Sequence, residues 1–274
     1  SSGVYREAGS QPRAGIAAWQ QAEPAGSRDQ RRLMDKGAGR RLNAINAPGL
    51  RAYVIGQTPR PDLTADLEGR LQGMPVEVVG ALDGLSADAV EQCDGCDYPL
   101  ETRLRDGSRI VVGAGYVEAR LQRVLDAFQG EAFAHLILCA GPFPSLALPE
   151  PSHGRGGLLV RPFDTGVRFL RERGHRRLAV LVPFHAQVIP AARKWQAAGF
   201  GPCRVRALTE KPSGSVLAPL IASLASAPDA DAVVFDYVGF PADLLDGVAA
   251  GTGLPVFDLG HLTLDRLADT LHRS

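Results

Sequence analysis

The sequence lacks several features that define whole classes of protein. Thirty lysines and arginines balance thirty aspartates and glutamates, so the basic surplus of a protein that tracks nucleic-acid phosphates is missing. No apolar stretch reaches the roughly 18 residues that suggest a membrane span, and the N-terminus has no apolar core of the signal-peptide type. Neither GxxxxGK[ST] nor GxGxxG occurs, so nucleotide binding lacks its usual motifs. We therefore expect a cytoplasmic protein without nucleic-acid or membrane partners.

Cysteine is also scarce, with four residues in a chain of 274. Four cysteines in a chain this long do not resemble a secreted disulfide framework, so reduced thiols are the expectation. Cys93 and Cys96 form a CxxC, but two further zinc ligands are missing nearby and no helix opens at the motif. We predict no metal site and no redox role for this pair, and a structural role for Cys203.

Residues 1–45 have no periodic apolar pattern, and the first fifty residues hold eight Lys/Arg against four Asp/Glu. This stretch is predicted to be a flexible tail or a non-native extension. A basic arm that binds a partner is the less favoured interpretation.

From Arg51 onward, short apolar runs alternate with helical patterns, which is typical of parallel strands covered by helices on both faces. The alternation predicts a doubly wound α/β architecture. The predicted strands are 51–56, 76–80, 134–140, 178–182, 203–208, 231–237 and 255–259. The predicted helices are 61–72, 115–129, 163–173, 186–198, 215–226, 241–250 and 263–272.

One insertion and one joint interrupt the alternation. Residues 101–113 read as a hairpin, with Asp106-Gly107 as a type I′ turn signal. The Gly-rich segment 152–157 is a candidate domain boundary. We expect a first α/β domain from residues 46–155 with 260–274, and a second from residues 156–259.

Ligands of open α/β sheets bind at the carboxyl ends of the strands, so the residues that follow each strand are the candidate site. After the first strand, Gln57, Thr58 and Arg60 can hold a carboxylate at a helix start; the alternative for Thr58 is a simple helix cap. After strand 134–140, Cys139 can act as an acid, base or nucleophile if backbone amides lower its pKa. The alternative is a cysteine buried for packing.

The second half of the chain offers further candidates. Asp236 and Tyr237 follow strand 231–237, where the alternative for Tyr237 is a pocket wall. His185 follows strand 178–182 as a candidate base or ligand, although a lone histidine is more often structural. His261 is a weaker candidate of the same kind.

Several of these segments, in this order, resemble the AroM family. They are IGQTPRPDL (55–63), GALDGLS (80–86), DYPLETRLRDGSRIVVG (97–113), LILCAGPFP (136–144), the Arg-Lys-Trp helix at 193–195 and VVFDYVGF (233–240). AroM-like proteins look like relatives of the aspartate/glutamate racemase superfamily. The resemblance implies two similar Rossmann-like parallel-sheet domains with the site in the interdomain cleft, and a homodimer.

The resemblance also implies chemistry without metal, pyridoxal phosphate or nucleotide, in which two cysteines flank the α-carbon of a small acid. Cys139 occupies the first cysteine position, but Tyr237 stands at the second. A tyrosine, with an ordinary pKa near 10, is a poor base at neutral pH. The implied function is a cofactor-independent isomerase or lyase acting on a small carboxylic or amino acid through one cysteine. The alternative is a non-catalytic protein that binds or senses a small acid.

The predicted substrate-binding residues follow strands in both halves of the chain. They are Gln57, Thr58, Arg60, Ala140, Gly141, His185, Asp236, Val238 and Gly239.

Overall fold

The computed structural model describes residues 49–71, 74–127, 132–148, 157–208, 214–225, 229–240 and 242–272. The predicted tail and most of the predicted joint at 152–157 lie outside these residues. Ten strands occur in the described part: β1 Gly49–Val54, β2 Val76–Gly80, β3 Pro99–Arg103, β4 Arg109–Gly113, β5 Ala132–Ile137, β6 Leu158–Val160, β7 Leu178–Val182, β8 Arg204–Ala207, β9 Ala232–Phe235 and β10 Val256–Asp258.

Seven α-helices connect or follow these strands in the described residues. They are α1 Pro61–Arg70, α2 Ala114–Ala127, α3 Pro162–Glu172, α4 Val188–Ala197, α5 Gly214–Ala225, α6 Ala242–Thr252 and α7 Leu259–His272. Short 3-10 turns occur at Ala87–Ala89 and His185–Gln187. The start of α1 follows from its sequence. Pro61 is the first helical residue, and a proline there loses no hydrogen bond of the helix, since the first N–H groups have no partner within it.

Two four-stranded parallel sheets carry the fold, which confirms the predicted α/β class. The first sheet has the order β2-β1-β5-β6 and the second has the order β10-β9-β7-β8. If the strands of each sheet are counted in chain order, both sheets read 2-1-3-4. Each sheet therefore has its topological switch point between its first and third strands, where ligands of such sheets bind.

The central strands β7 and β9 are apolar on both faces because side chains pack on both sides of the second sheet. Every residue of β7 and of β9 is buried, as expected of a central parallel strand. The largest fully buried side chain is Trp195 of α4, which packs beneath the second sheet among Leu178, Val180 and Phe200.

The hairpin is present, but its turn differs from the prediction. The N–H of Leu104 donates to the carbonyl of Ser108 (2.9 Å), and the N–H of Gly107 donates to the carbonyl of Leu104 (3.0 Å). The loop therefore spans residues 104–108 and is longer than a two-residue type I′ turn. Gly107 alone of the loop's residues is a positive-φ glycine, at +86°. The side chain of Asp106 accepts from the N–H and hydroxyl of Ser108.

Two further features differ from the predictions. Cys93 and Cys96 are joined in a disulfide, so the expectation of reduced thiols is wrong for this pair; their Cα atoms lie 5.4 Å apart, within bonding reach. The short strand β6 was not predicted, and it pairs with β5 at the edge of the first sheet. The predicted division into two domains stays a prediction. No helix of the described residues is long and apolar enough to cross a membrane.

Candidate functional site

A small cleft lies where the ends of β1, β5, β7 and β9 meet. These are the first and third strands of each sheet, so the cleft is built from both switch points. Its cavity has a volume of about 30 Å³. The lining residues are Ile55, Arg60, Leu63, Tyr98, Leu100, Glu101, Leu138, Cys139, Ala140, Gly141, Pro183, Gln187, Asp236, Tyr237 and Val238.

Cys139 lies two residues beyond β5 and lines the cleft as a free thiol. The N–H of Gly141 donates to its Sγ atom (3.3 Å). Burial raises the thiol's pKa to about 11, although the Gly141 amide and the charges of Lys194 and Arg60 act in the opposite direction. The Gly141 amide thus acts in the direction considered from the sequence, but burial outweighs it. At neutral pH Cys139 holds its proton, which makes it a proton donor in its resting state.

Arg60 brings a buried positive charge to the cleft. Its side chain is only 7% exposed, and its Nε and Nη2 atoms each donate to a different oxygen of Asp62, at 2.8 Å. The hydrogen bond from Arg60 holds the pKa of Asp62 below its ordinary value. Because the fork of Arg60 uses only two of its three nitrogens on Asp62, the guanidinium keeps donors for an anion in the cleft.

Gln57 and Thr58 do not line the cleft, and protein groups already bind their polar atoms. Gln57 donates to the carbonyls of Leu82 (2.9 Å) and Leu85 (2.7 Å) and accepts from the N–H of Arg105 (2.8 Å).

Asp83 binds the polar groups of Thr58. The backbone N–H and the hydroxyl of Thr58 both donate to the Asp83 carboxylate, each at 2.8 Å. Thr58 does not cap α1, because Arg60 is the N-cap residue and no side chain caps that end. These two residues shape the turn after β1 rather than face the cleft.

The turn after β9 contributes Asp236, Tyr237 and Val238 to the cleft. Burial raises the pKa of Tyr237, while the nearby charge of Arg60 lowers it. The phenol is therefore a donor at neutral pH, and its ring packs on Phe240 with centroids 5.0 Å apart. Gly239 is exposed and lies beside the cleft with a φ of +106°.

Sequence reasoning missed the network beneath the thiol. Lys194 of α4 donates from Nζ to the carbonyl of Ala140 (2.8 Å) and to Oδ1 of Asp236 (2.7 Å). The indole N–H of Trp195 donates to the second oxygen of Asp236 (2.9 Å). The sequence signal for its burial is its spacing, because Lys194 lies on the same face of α4 as the apolar residues Ala191 and Trp195.

Gln187 was missed as well. It is 4% exposed, lines the cleft, and donates from Nε2 to the carbonyl of Pro99 at the start of the hairpin (2.8 Å). Its Oε1 atom has no hydrogen-bond partner in the described part of the chain. By contrast, His185 is exposed on the same 3-10 turn and is not among the lining residues.

The described residues contain no group of three or more histidine, cysteine or acidic side chains that could hold a metal ion. The chemistry that these residues can support is that of a proton-bearing thiol, a phenol and a guanidinium around a small cavity.

The fold and the cleft define an α/β protein with two parallel sheets of the same strand order and a cleft at their switch points. The chain belongs to the AroM family, described as AroM protein, which matches residues 50–271. This confirms the resemblance found in the sequence. No sequence among the curated proteins compared matches the chain.

Solved structures share this fold at low sequence identity. Maleate cis-trans isomerase of Nocardia farcinica, bound to TRIS, superposes with a TM-score of 0.53 at 15% identity, covering 82% of this chain and 92% of the isomerase. Allantoin racemase of Klebsiella pneumoniae superposes with a TM-score of 0.52 at 13% identity, covering 83% of this chain and 88% of the racemase. These similarities show the fold.

Proposed function

We propose that this protein is a cofactor-independent isomerase or lyase of small carboxylic or amino acids, with Cys139 as its proton donor. The observation that carries the proposal is a protonated thiol in a cleft at both switch points, beside the buried guanidinium of Arg60. The proteins with the same fold add support, because a maleate isomerase and an allantoin racemase are among them.

Arg60 is the proposed anchor for the substrate carboxylate. Its guanidinium is already oriented by Asp62, so a second anion can bind without the entropy cost of ordering a long side chain. The N–H of Gly141 and the neighbouring turn would face the reacting end of the acid.

In the lyase form of the proposed step, the bond between the α-carbon and the departing carboxylate breaks beside Cys139, CO₂ leaves, and the electron pair stays on the α-carbon as a carbanion or enolate. The S–H bond of Cys139 breaks, a C–H bond forms, and the electron pair of the S–H bond stays on sulfur as a thiolate. The Gly141 N–H and the positive charges nearby stabilise that thiolate. Solvent then returns a proton to the sulfur.

Tyr237 at the second cysteine position favours a one-cysteine outcome. Its raised pKa makes it a donor or binding group rather than a base, so symmetric exchange between two thiols is not expected. Decarboxylation, isomerisation or one-sided protonation fits this asymmetry. A variant of the proposed step is covalent attack by Cys139. Another structure of the maleate cis-trans isomerase from Nocardia farcinica, with a TM-score of 0.50, is described with a covalently bound succinylcysteine intermediate.

The second candidate is a non-catalytic protein that binds or senses a small acid. The raised pKa of Cys139 together with Tyr237 favours it, because neither group is a base at neutral pH. A cytoplasmic location and a homodimer remain part of the proposal.

Proton NMR in D₂O across a panel of small carboxylic and amino acids tests the proposal. Wild-type protein is expected to incorporate deuterium at the α-carbon, or to isomerise or decarboxylate at least one acid. Cys139→Ser should lose about 10²- to 10⁴-fold of that rate, the usual contribution of a positioned acid or base.

Cys203→Ser is the matched control, because Cys203 is a free thiol with a pKa also raised to about 11 but lies just before the amino end of β8, opposite the cleft. Turnover that survives in Cys139→Ser would refute the catalytic role. Acids that protect Cys139 from iodoacetamide without being turned over would instead support the binding protein.

A further inference from the structure

A buried ammonium group lies behind the thiol. The side chain of Lys194 is 5% exposed and that of its partner Asp236 is fully buried. The Nζ atom also lies 4.4 Å from the ring centroid of Phe163 and 5.2 Å from that of Tyr98. An ion pair with Asp236, a carbonyl acceptor and two ring faces are the surroundings of a cation.

Stability alone does not account for this arrangement. Removing two charges from water costs about as much as their attraction returns, so a buried pair adds little net stability. Burial lowers the pKa of Lys194, and Asp236 opposes that effect. The pair therefore calls for an explanation in terms of the groups it contacts.

Those groups belong to both halves of the cleft. The carbonyl of Ala140 follows Cys139 at the end of the first sheet, whereas Asp236 precedes Tyr237 at the end of the second sheet. One Nζ atom thus joins the two turns that carry the proposed proton donor and the tyrosine opposite it.

We propose that Lys194 is a positioning residue for Cys139, fixing the Cys139-Ala140 turn against Asp236 and placing a positive charge behind the sulfur. Lys194 is not among the residues that line the cleft, so it does not touch the substrate. The inference deepens the proposed function, because a thiolate left after proton donation is the state that this charge stabilises.

The charges that face Cys139 define the test. Lys194 and Arg60 favour the thiolate, Asp236 disfavours it, and the phenols of Tyr98 and Tyr237 remain neutral because burial raises their pKa values. Lys194→Met, and Asp236→Asn made together with Lys194→Arg so that the cation keeps its proton, should therefore change the reactivity of Cys139 in opposite directions. A purely structural role would loosen the cleft in both variants and change both in the same direction.

The experiment measures iodoacetamide alkylation of Cys139 at about pH 9, below the thiol's pKa of about 11, with the modified peptides quantified by mass spectrometry. Loss of one adjacent charge shifts a pKa by about one unit. A pKa raised by about one unit lowers the fraction of thiolate about tenfold, but a more basic thiolate is a better nucleophile. The net rate in Lys194→Met should therefore fall about three- to fourfold. Lys194→Arg, whose guanidinium stays protonated, should restore most of the wild-type value, and adding Asp236→Asn to Lys194→Arg should raise the rate further.

Cys203 of the same molecules is the internal reference for Lys194→Met, since Asp236 is among the charges that shift its pKa but Lys194 is not. Its alkylation rate should not change in Lys194→Met. If that variant unfolds because Asp236 is left unpaired, the double variant Lys194→Met/Asp236→Asn replaces it, with a rate below that of Lys194→Arg/Asp236→Asn expected.

Equal or faster alkylation of Cys139 in a folded Lys194→Met protein would overturn the inference. The outcome is separable from the proposed function, because alkylation needs no substrate. If no acid is turned over but the opposite shifts are observed, the proposed function fails and the role of Lys194 stands.

Discussion

The contact between the turn after β1 and the hairpin leads to a sharp prediction at Gly56. A Cβ atom on this residue would lie less than 3.0 Å from the carbonyl oxygen of Arg103 and from Oγ1 of Thr102. The first obstacle is backbone and the second is a buried side chain, 3% exposed. Gly56→Ala must therefore push strand β3 away, and the bond from the N–H of Gln57 to the same Arg103 carbonyl (3.0 Å) stretches with it.

The expected size follows from these two effects. Overpacking costs about 1–3 kcal/mol, and a weakened backbone hydrogen bond costs about 1 kcal/mol more. A loss of about 2–4 kcal/mol lowers the Tm of a chain this large by about 5–10 °C. Because β3 contributes Leu100 and Glu101 to the cleft, protection of Cys139 by a bound acid should weaken as well.

Gly49→Ala is the matched control, because it makes the same change at the start of β1, with nothing within 4 Å of the new Cβ. Thermal and urea unfolding followed by circular dichroism should show a change within about 0.5 kcal/mol for Gly49→Ala. If Gly56→Ala is as stable as Gly49→Ala, the close approach of hairpin and turn is not a constraint and the reasoning fails.

Two further predictions concern the pH dependence of stability and a strained glycine. The folded pKa of Cys139, about 11, lies above its ordinary value of 9.0. This thiol therefore costs no stability below about pH 9. As the pH rises toward 11, the thiol ionises in the unfolded chain before it ionises in the folded protein, so the free energy of unfolding falls. Cys139→Ser should reduce that fall in urea titrations, and an unchanged slope would contradict the buried thiol. Gly239→Ala combines a φ of +106° with a Cβ only 2.9 Å from Cδ2 of Leu63 and should cost about 1–3 kcal/mol. Gly253→Ala, with a φ of +67° and open space around its Cβ, should cost less, and equal losses would refute the steric part of the argument.

The fold could be predicted from the sequence because its central strands are short runs that are apolar on both faces. Strands β2 and β7 have the predicted bounds, 76–80 and 178–182. Strand β6 could not be found in this way, because three residues are too few for any periodicity and its pairing partner β5 lies more than twenty residues earlier in the chain.

The site was only partly predictable. Cys139, Arg60, Asp236 and Tyr237 follow strand ends or open a helix, so a rule about sheet edges identifies them. Gln57 and Thr58 satisfy the same rule, but their partners Leu82 and Asp83 come from another loop, and only the fold shows that these partners bind them. A lysine on a helix is expected to face solvent, so the burial of Lys194 required knowledge of what covers α4.

The identical strand order of the two sheets bears on the handedness of any product. The order places Cys139 and Tyr237 at equivalent positions of the two halves, each just beyond a third strand. A planar intermediate held between them would meet a thiol on one face and a phenol on the other. Because the two equivalent positions carry two different acids, proton delivery by Cys139 under the proposed function would occur from one side, and a new stereocentre would form with a single configuration.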